Sequence, residues 1–138
     1  MAYFNKIGLL LLSDNQTKFL ACEKDNFTSD FIMPGGRIEE GDENEIDCLM
    51  REIKEELDVD IDKPSLKFIG EYVDVAAGDP TKDVSIRLFE GKIIGEPKPS
   101  HEIKFFHWLS KDNLSHSRLS PIIRNKILPD LIKRNILK

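Results

Sequence analysis

The chain has 138 residues, of which 40% are hydrophobic and 33% charged, with a net charge of −5. This length suits one domain with a single core, and no apolar run approaches the length of a membrane span. The acidic balance argues against a nucleic-acid backbone as partner, while a small anionic substrate can still be held by a local metal and a few bases.

Residues 1–138 read as one domain, with no internal repeat and no low-complexity tract. Met1 to Lys6 lacks the basic flank and cleavage site of a secretory signal. Cys22 and Cys48 lack metal-ligand spacing and read as small buried hydrophobes in a reducing, cytoplasmic setting. Ile7 to Leu12 predicts a buried strand ended by Ser13-Asp14-Asn15, and Lys18 to Glu23 predicts its hairpin partner. Asn26 to Asp30 reads as a polar loop, and Phe31-Ile32-Met33 as a short strand delivering Pro34 and the two following glycines. A helix is expected from about Glu43 to Leu57, with Asn44 or Asp42 as its cap. Beyond a turn at Asp60 to Pro64, Leu66 to Val75 predicts a strand, Ala76 to Lys82 a loop, and Val84 to Ile94 a long strand paired with the preceding one. Gly95 to Ser100 breaks the chain, and Ile103 to Leu109, with Trp108, predicts a last strand. Pro121 to Leu137 has the pattern of an amphipathic helix that Pro129 kinks or restarts. This order predicts an α/β fold with a mixed sheet between helical layers.

The stretch from Pro34 to Val59 carries the chemistry. At ~100° per residue, Ile46, Leu49, Met50, Ile53 and Leu57 form one apolar stripe. Glu52, Glu55 and Glu56 stand at i, i+3 and i+4 and project together from a neighbouring face. Three like charges so close repel, and a hard divalent cation that takes oxygen ligands would offset them. The glycine turn before the helix adds carbonyl oxygens and a close backbone approach. Arg51, one turn before Glu55, is within reach to orient that carboxylate. The plainer reading of such a face is a solvated acidic surface. Lys24 and Arg37 are candidates to neutralise substrate phosphate, or ordinary surface bases. Phe31, Tyr72 and Phe89 could stack a nucleobase, although aromatics on strands more often fill a core.

The same stretch resembles the Nudix box, G-x5-E-x7-R-E-U-x-E-E-x-G-U with U aliphatic, through Gly36, Arg51-Glu52-Ile53, Glu55-Glu56 and Val59. It departs twice. One extra residue lies between Gly36 and Arg51, so that either Asp42 or Glu43 stands for the first Glu, and Asp58 replaces the last Gly, a position where Asp can adopt the left-handed conformation. The resemblance implies a Nudix α/β/α sandwich with a central mixed sheet, the box helix and a C-terminal helix.

It further implies metal-dependent hydrolysis of a pyrophosphate bond in a nucleoside triphosphate or another nucleoside diphosphate derivative. Mg²⁺ or Mn²⁺ would be held by Glu52, Glu55, Glu56 and the Gly35 carbonyl, with Glu102, on the loop before the Trp108 strand, as a further ligand or base. Glu55 or Glu102 is then the expected base and Arg51 the residue that orients, while Lys24 and Arg37 would contact substrate. The expected partner is a small nucleotide, without membrane or nucleic acid, and many relatives form homodimers. Leu119-Ser120 stands where some mutator-type members carry a base-reading amide, which leaves ADP-ribose, sugar nucleotides and dinucleoside polyphosphates open. The alternative is a non-catalytic nucleotide-binding module on the same fold.

Overall fold

The computed structural model describes residues 2–24 and 30–138. Six strands, β1 (Phe4–Leu10), β2 (Lys18–Lys24), β3 (Gly35–Gly36), β4 (Asp60–Ala76), β5 (Asp79–Ile94) and β6 (Ile103–Ser110), are joined by helix α1 (Glu45–Leu57) and followed by α2 (Leu128–Lys133). Four strands make a mixed sheet in the order β3-β1-β5-β4, with β1 parallel to β5 and the other neighbours antiparallel. The antiparallel pair β2-β6 stands beside it.

Alternation along the strands explains the layering. Ile7 and Leu9 of β1, with Leu20 and Cys22 of β2, bury against Leu49, Ile53 and Leu57 of α1. Leu10, Phe19 and Ala21 point the other way, into a second core with Ile123, Ile127, Leu128 and Leu131 of the C-terminal helical segment. Strands that are apolar on both faces need cover on both, so the sheet sits between helices.

Several elements depart from the sequence pattern, each for a local reason. The hairpin expected between the first two strands closes only at its tip, where Leu12 bridges Phe19 and the Ser13 amide donates to the Lys18 carbonyl at 2.9 Å. Both edges of β1 are taken by β3 and β5, so β2 runs on to pair with β6 instead. Phe31 and Ile32 make single bridges, to Leu119 and Cys22, and the strand itself forms at the glycines. Of the loop expected at Asn26 to Asp30, all but Asp30 lies outside the described residues.

The turn expected at Asp60 to Pro64 is part of β4, which bulges between Asp62 and Lys67. Pro64 lies in that bulge on a strand at the sheet's edge, where no ladder donor is required. Ser65 closes the bulge by donating to the Asp62 carbonyl at 2.6 Å and accepting from the Lys92 amide at 2.8 Å.

Asn44 caps α1 by accepting from the Asp47 amide at 2.9 Å, and Asp58 ends it at φ 54°, ψ 39°, the left-handed conformation expected there. At the other end of the chain the backbone is helical from residue 121 but widens to a π-helical turn over Ile123–Ile127 before α2 begins. Pro129 sits in the first turn of α2 and cannot donate to the turn before it, which accounts for the widening. Asn135, at φ 57°, stops the helix short of Leu137. Tyr72 of β4 is tied to this segment through Asp130 at 2.5 Å, and Arg134 reaches both Asp130 and the Ile69 carbonyl.

Candidate active site

Glycine packing sets the geometry of the site. Gly35 has φ 139° and lies so close to the β1 backbone at Ile7 and Gly8 that a side chain there would collide. A Cβ on Gly36 would run into the carboxylate of Glu52. β3 therefore lies directly against α1, and the face that carries Glu52 and Glu56 meets bare backbone.

Next to this contact is a cleft of about 470 Å³. Glu39, Glu52, Glu55, Glu56 and Glu102 line it together with Lys6, Lys24 and Arg37, and Phe4, Gly36 and His101 complete the wall. All three acids of the helix face, Glu102 and both candidate phosphate-binding bases are thus brought to one place. Gly35 adjoins Gly36 at the edge of the cleft and its amide holds Glu56, while Arg51 stands behind the wall and holds Glu52.

Glu102 arrives through the C-terminal end of α1. The carbonyls of Glu56 and Leu57, left without helical partners, accept from the amides of Ser100 at 3.0 Å and Lys98 at 2.8 Å. The loop is pinned to the helix, and His101 turns through φ 52° to bring its own side chain and that of Glu102 to the cleft.

Each helix acid has a different environment. Glu56 is 5% exposed, accepts from the Gly35 amide at 2.8 Å through Oε1, and faces the Lys24 ammonium at 3.2 Å through Oε2. Burial raises its pKa, and Lys24 and the Gly35 amide oppose that shift. Glu52 accepts from Arg51 at 2.9 Å. Glu55 is the most open of the three, with 46% of its side chain exposed and Arg51 at 3.5 Å.

Arg51 in turn is fixed by Asp42, whose two oxygens accept from Nε at 2.9 Å and Nη2 at 2.8 Å. This fork holds the Asp42 carboxyl down at about 2 and raises the guanidinium's pKa still further. Of the two residues that could stand for the first Glu of the box, Asp42 is the one that grips Arg51. The extra residue is taken up by the loop before Asn44, and α1 itself is undisturbed.

Lys6, Phe4 and Glu39 also line the cleft, and the pattern reading missed them. Lys6 is half-buried, and burial together with the nearby Lys24 charge lowers its pKa to about 8. The available signal was parity: Lys6 shares a face of β1 with Phe4, Gly8 and Leu10, an odd place for a lysine. Phe31, Tyr72 and Phe89 are buried core residues, which removes them as stacking platforms. The His107 and His116 rings pack near Phe31, and both are half-buried. Both cysteines are buried free thiols, Cys48 pushed up to about 11 by burial.

The donor set suits a hard cation, since every carboxylate and carbonyl in reach offers oxygen. Among the described residues, no three acidic, His or Cys side chains are gathered closely enough to cage an ion alone. Among the described residues, too, no helix is long and apolar enough to cross a membrane.

A comparison of the sequence with curated proteins gives no match. Among solved structures, the fold is similar to the MutT protein of Methanosarcina mazei Go1, with a TM-score of 0.77 at 20% identity over 97% of this chain and 96% of that one. The E. coli ORF135 protein gives a TM-score of 0.73 at 17% identity, covering 96% of this chain and 90% of that one. The NUDIX domain of Shewanella oneidensis NrtR, solved with ADP ribose, gives 0.73 at 16% identity, covering 98% and 90%. The family model of the NUDIX domain matches residues 3–131, from the first strand through the acidic helix into α2. With the glycine turn, the Arg51-centred acids and the sandwich all in place, the chain belongs to the Nudix hydrolase family.

Proposed function

We propose that this hydrolase cleaves a pyrophosphate bond in a nucleoside triphosphate or another nucleoside diphosphate derivative, with Mg²⁺ or Mn²⁺ as cofactor and a nucleoside monophosphate as one product. The observation that carries the reading is the charge of the cleft: five carboxylates face three cationic side chains. Such a cleft repels a polyphosphate unless divalent cations enter with it.

Glu52, Glu55, Glu56 and the Gly35 carbonyl would hold the ions, with Glu102 as a further ligand. When bound, the ions would neutralise substrate phosphate and make a water acidic enough to serve as nucleophile. The protein's own part is positioning and proton transfer. Glu55, the most exposed acid of the helix, or Glu102 across the cleft would take the water's proton on a carboxylate oxygen. Arg51, fixed by Asp42, holds Glu52 and restrains Glu55. Arg37, Lys6 and Lys24 face the space that the phosphates would fill, so substrate charge meets three bases in a defined arrangement.

The deciding experiment incubates the purified protein with a panel of nucleoside triphosphates, ADP-ribose, sugar nucleotides and dinucleoside polyphosphates, with Mg²⁺ or Mn²⁺, and measures the nucleotide products by chromatography, together with pyrophosphate from the triphosphates. Cleavage of one class, abolished by EDTA, is expected. Nucleotide binding without cleavage across the panel would overturn catalysis and leave the non-catalytic module standing.

A further inference from the structure

We infer that Lys24 is a positioning residue that exchanges partners: it holds Glu56 as its counter-charge, yields that carboxylate to an arriving divalent cation, and is thereby released toward substrate phosphate. The inference rests on the metal reading of the site given above.

Glu56 has both oxygens engaged, Oε1 by the Gly35 amide at 2.8 Å and Oε2 by the Lys24 ammonium at 3.2 Å. The acid is 5% exposed and the lysine side chain 15% exposed. A buried carboxylate needs a counter-charge, and Lys24 supplies it here. The amide contact is compatible with a metal, since it donates to a carboxylate and carries no formal charge. The ammonium contact is not equally compatible, because a divalent ion on Oε2 would share one oxygen of a buried carboxylate with a like charge.

One of the two cations therefore has to leave, and the structure shows why it is Lys24. Glu52 also carries a cationic partner, but Arg51 is clamped by the two-oxygen fork of Asp42 and has no freedom to move away. Lys24 is the last residue of β2, just past an irregularity in its pairing with β6, and holds Glu56 as a point charge on a flexible stem. It already lines the cleft beside Arg37 and Lys6, so a released ammonium remains where phosphate would bind. Metal and substrate would then bind with positive coupling, because each favours the state in which the ion pair is open.

The test measures Mn²⁺ binding by the loss of the free-ion signal in electron paramagnetic resonance, for wild type, Lys24→Gln and Lys24→Arg. Each protein is titrated with and without a non-hydrolysable imido analogue of a nucleoside triphosphate. Glutamine can still donate to Glu56 but carries no charge, so Lys24→Gln is expected to bind Mn²⁺ at least about 5-fold tighter than wild type, and the analogue to enhance Mn²⁺ binding less than it does in wild type. Lys24→Arg keeps the charge and is expected to bind Mn²⁺ no tighter than wild type. Equal or weaker Mn²⁺ binding by Lys24→Gln, or equal tightening in both variants, overturns the exchange while leaving the metal site intact. Absence of Mn²⁺ binding to the wild-type protein overturns the metal reading itself.

Discussion

Asp42 grips Arg51 with both carboxylate oxygens, at 2.9 and 2.8 Å, from a loop that lies outside the helix carrying Arg51. The guanidinium then reaches Glu52 at 2.9 Å and the Arg37 carbonyl at 3.1 Å. A residue that never enters the cleft thus governs the direction of one that lines it. Asp42→Asn should keep the fold but loosen Arg51, lowering turnover about 10–100-fold, the usual effect of losing a partner that orients a ligand. Arg51→Lys should do the same, since an ammonium cannot form the planar fork. Steady-state kinetics together with circular dichroism check both.

Glu55→Gln and Glu56→Gln should each fold and lose most activity, about 10²-fold or more in kcat. At Glu56 the amide is close to isosteric and still accepts from Gly35, and burial already disfavours the charge. Its melting temperature is expected to move by only a few degrees. Thermal melts beside rate measurements separate loss of chemistry from loss of structure, and wild-type rates in both variants would remove the mechanism.

Gly36→Ala offers a cleaner separation. The new methyl would meet the far end of the Glu52 side chain, which can swing aside at little cost to folding. It cannot do so and remain where Arg51 holds it. Stability close to wild type with a loss of activity is expected, and a large drop in melting temperature would show that the backbone had yielded instead.

Tyr72 and Asp130 give a test remote from the cleft. The tyrosine hydroxyl has the largest effect on the Asp130 carboxyl and, helped by Arg134, holds it below its ordinary range against the opposing effect of burial. Because the folded pKa lies below the unfolded value of about 3.9, this stabilisation is complete above that pH and fades as pH falls through the folded value. Tyr72→Phe should cost about 1–2 kcal/mol at pH 7. Asp130→Asn should also be less stable at pH 7, with the gap to wild type narrowing by pH 3 in urea melts.

The acidic helix was legible because its signals agree. Apolar spacing, the Asn44 cap and the Asp58 stop all describe one element, and its carboxylates project where i, i+3, i+4 geometry puts them. Strand partners were less legible, since β2 is apolar on both faces and its pattern suits a β1 hairpin as well as the β6 pairing it adopts. Pro64 suggested a turn because an edge strand with a bulge is the one setting in which that residue leaves a strand intact. Within the site, Glu102 was found by resemblance, while its attachment to the Glu56 and Leu57 carbonyls is a tertiary contact that no local pattern records. Lys6 escaped because the first strand was expected to begin at Ile7, whereas β1 starts at Phe4 and carries Lys6 into the wall of the cleft.

The parallel pairing of β1 with β5, from Phe4 beside Val84 to Leu10 beside Glu90, has a kinetic consequence. Such distant partners meet only after a long loop has closed, a slow event compared with winding a single helix. During refolding, helical signal should therefore return before β1 docks and carries Lys6 into position. Until that late step the acids would face solvent without their opposite wall, and the enzyme would regain its catalytic competence last.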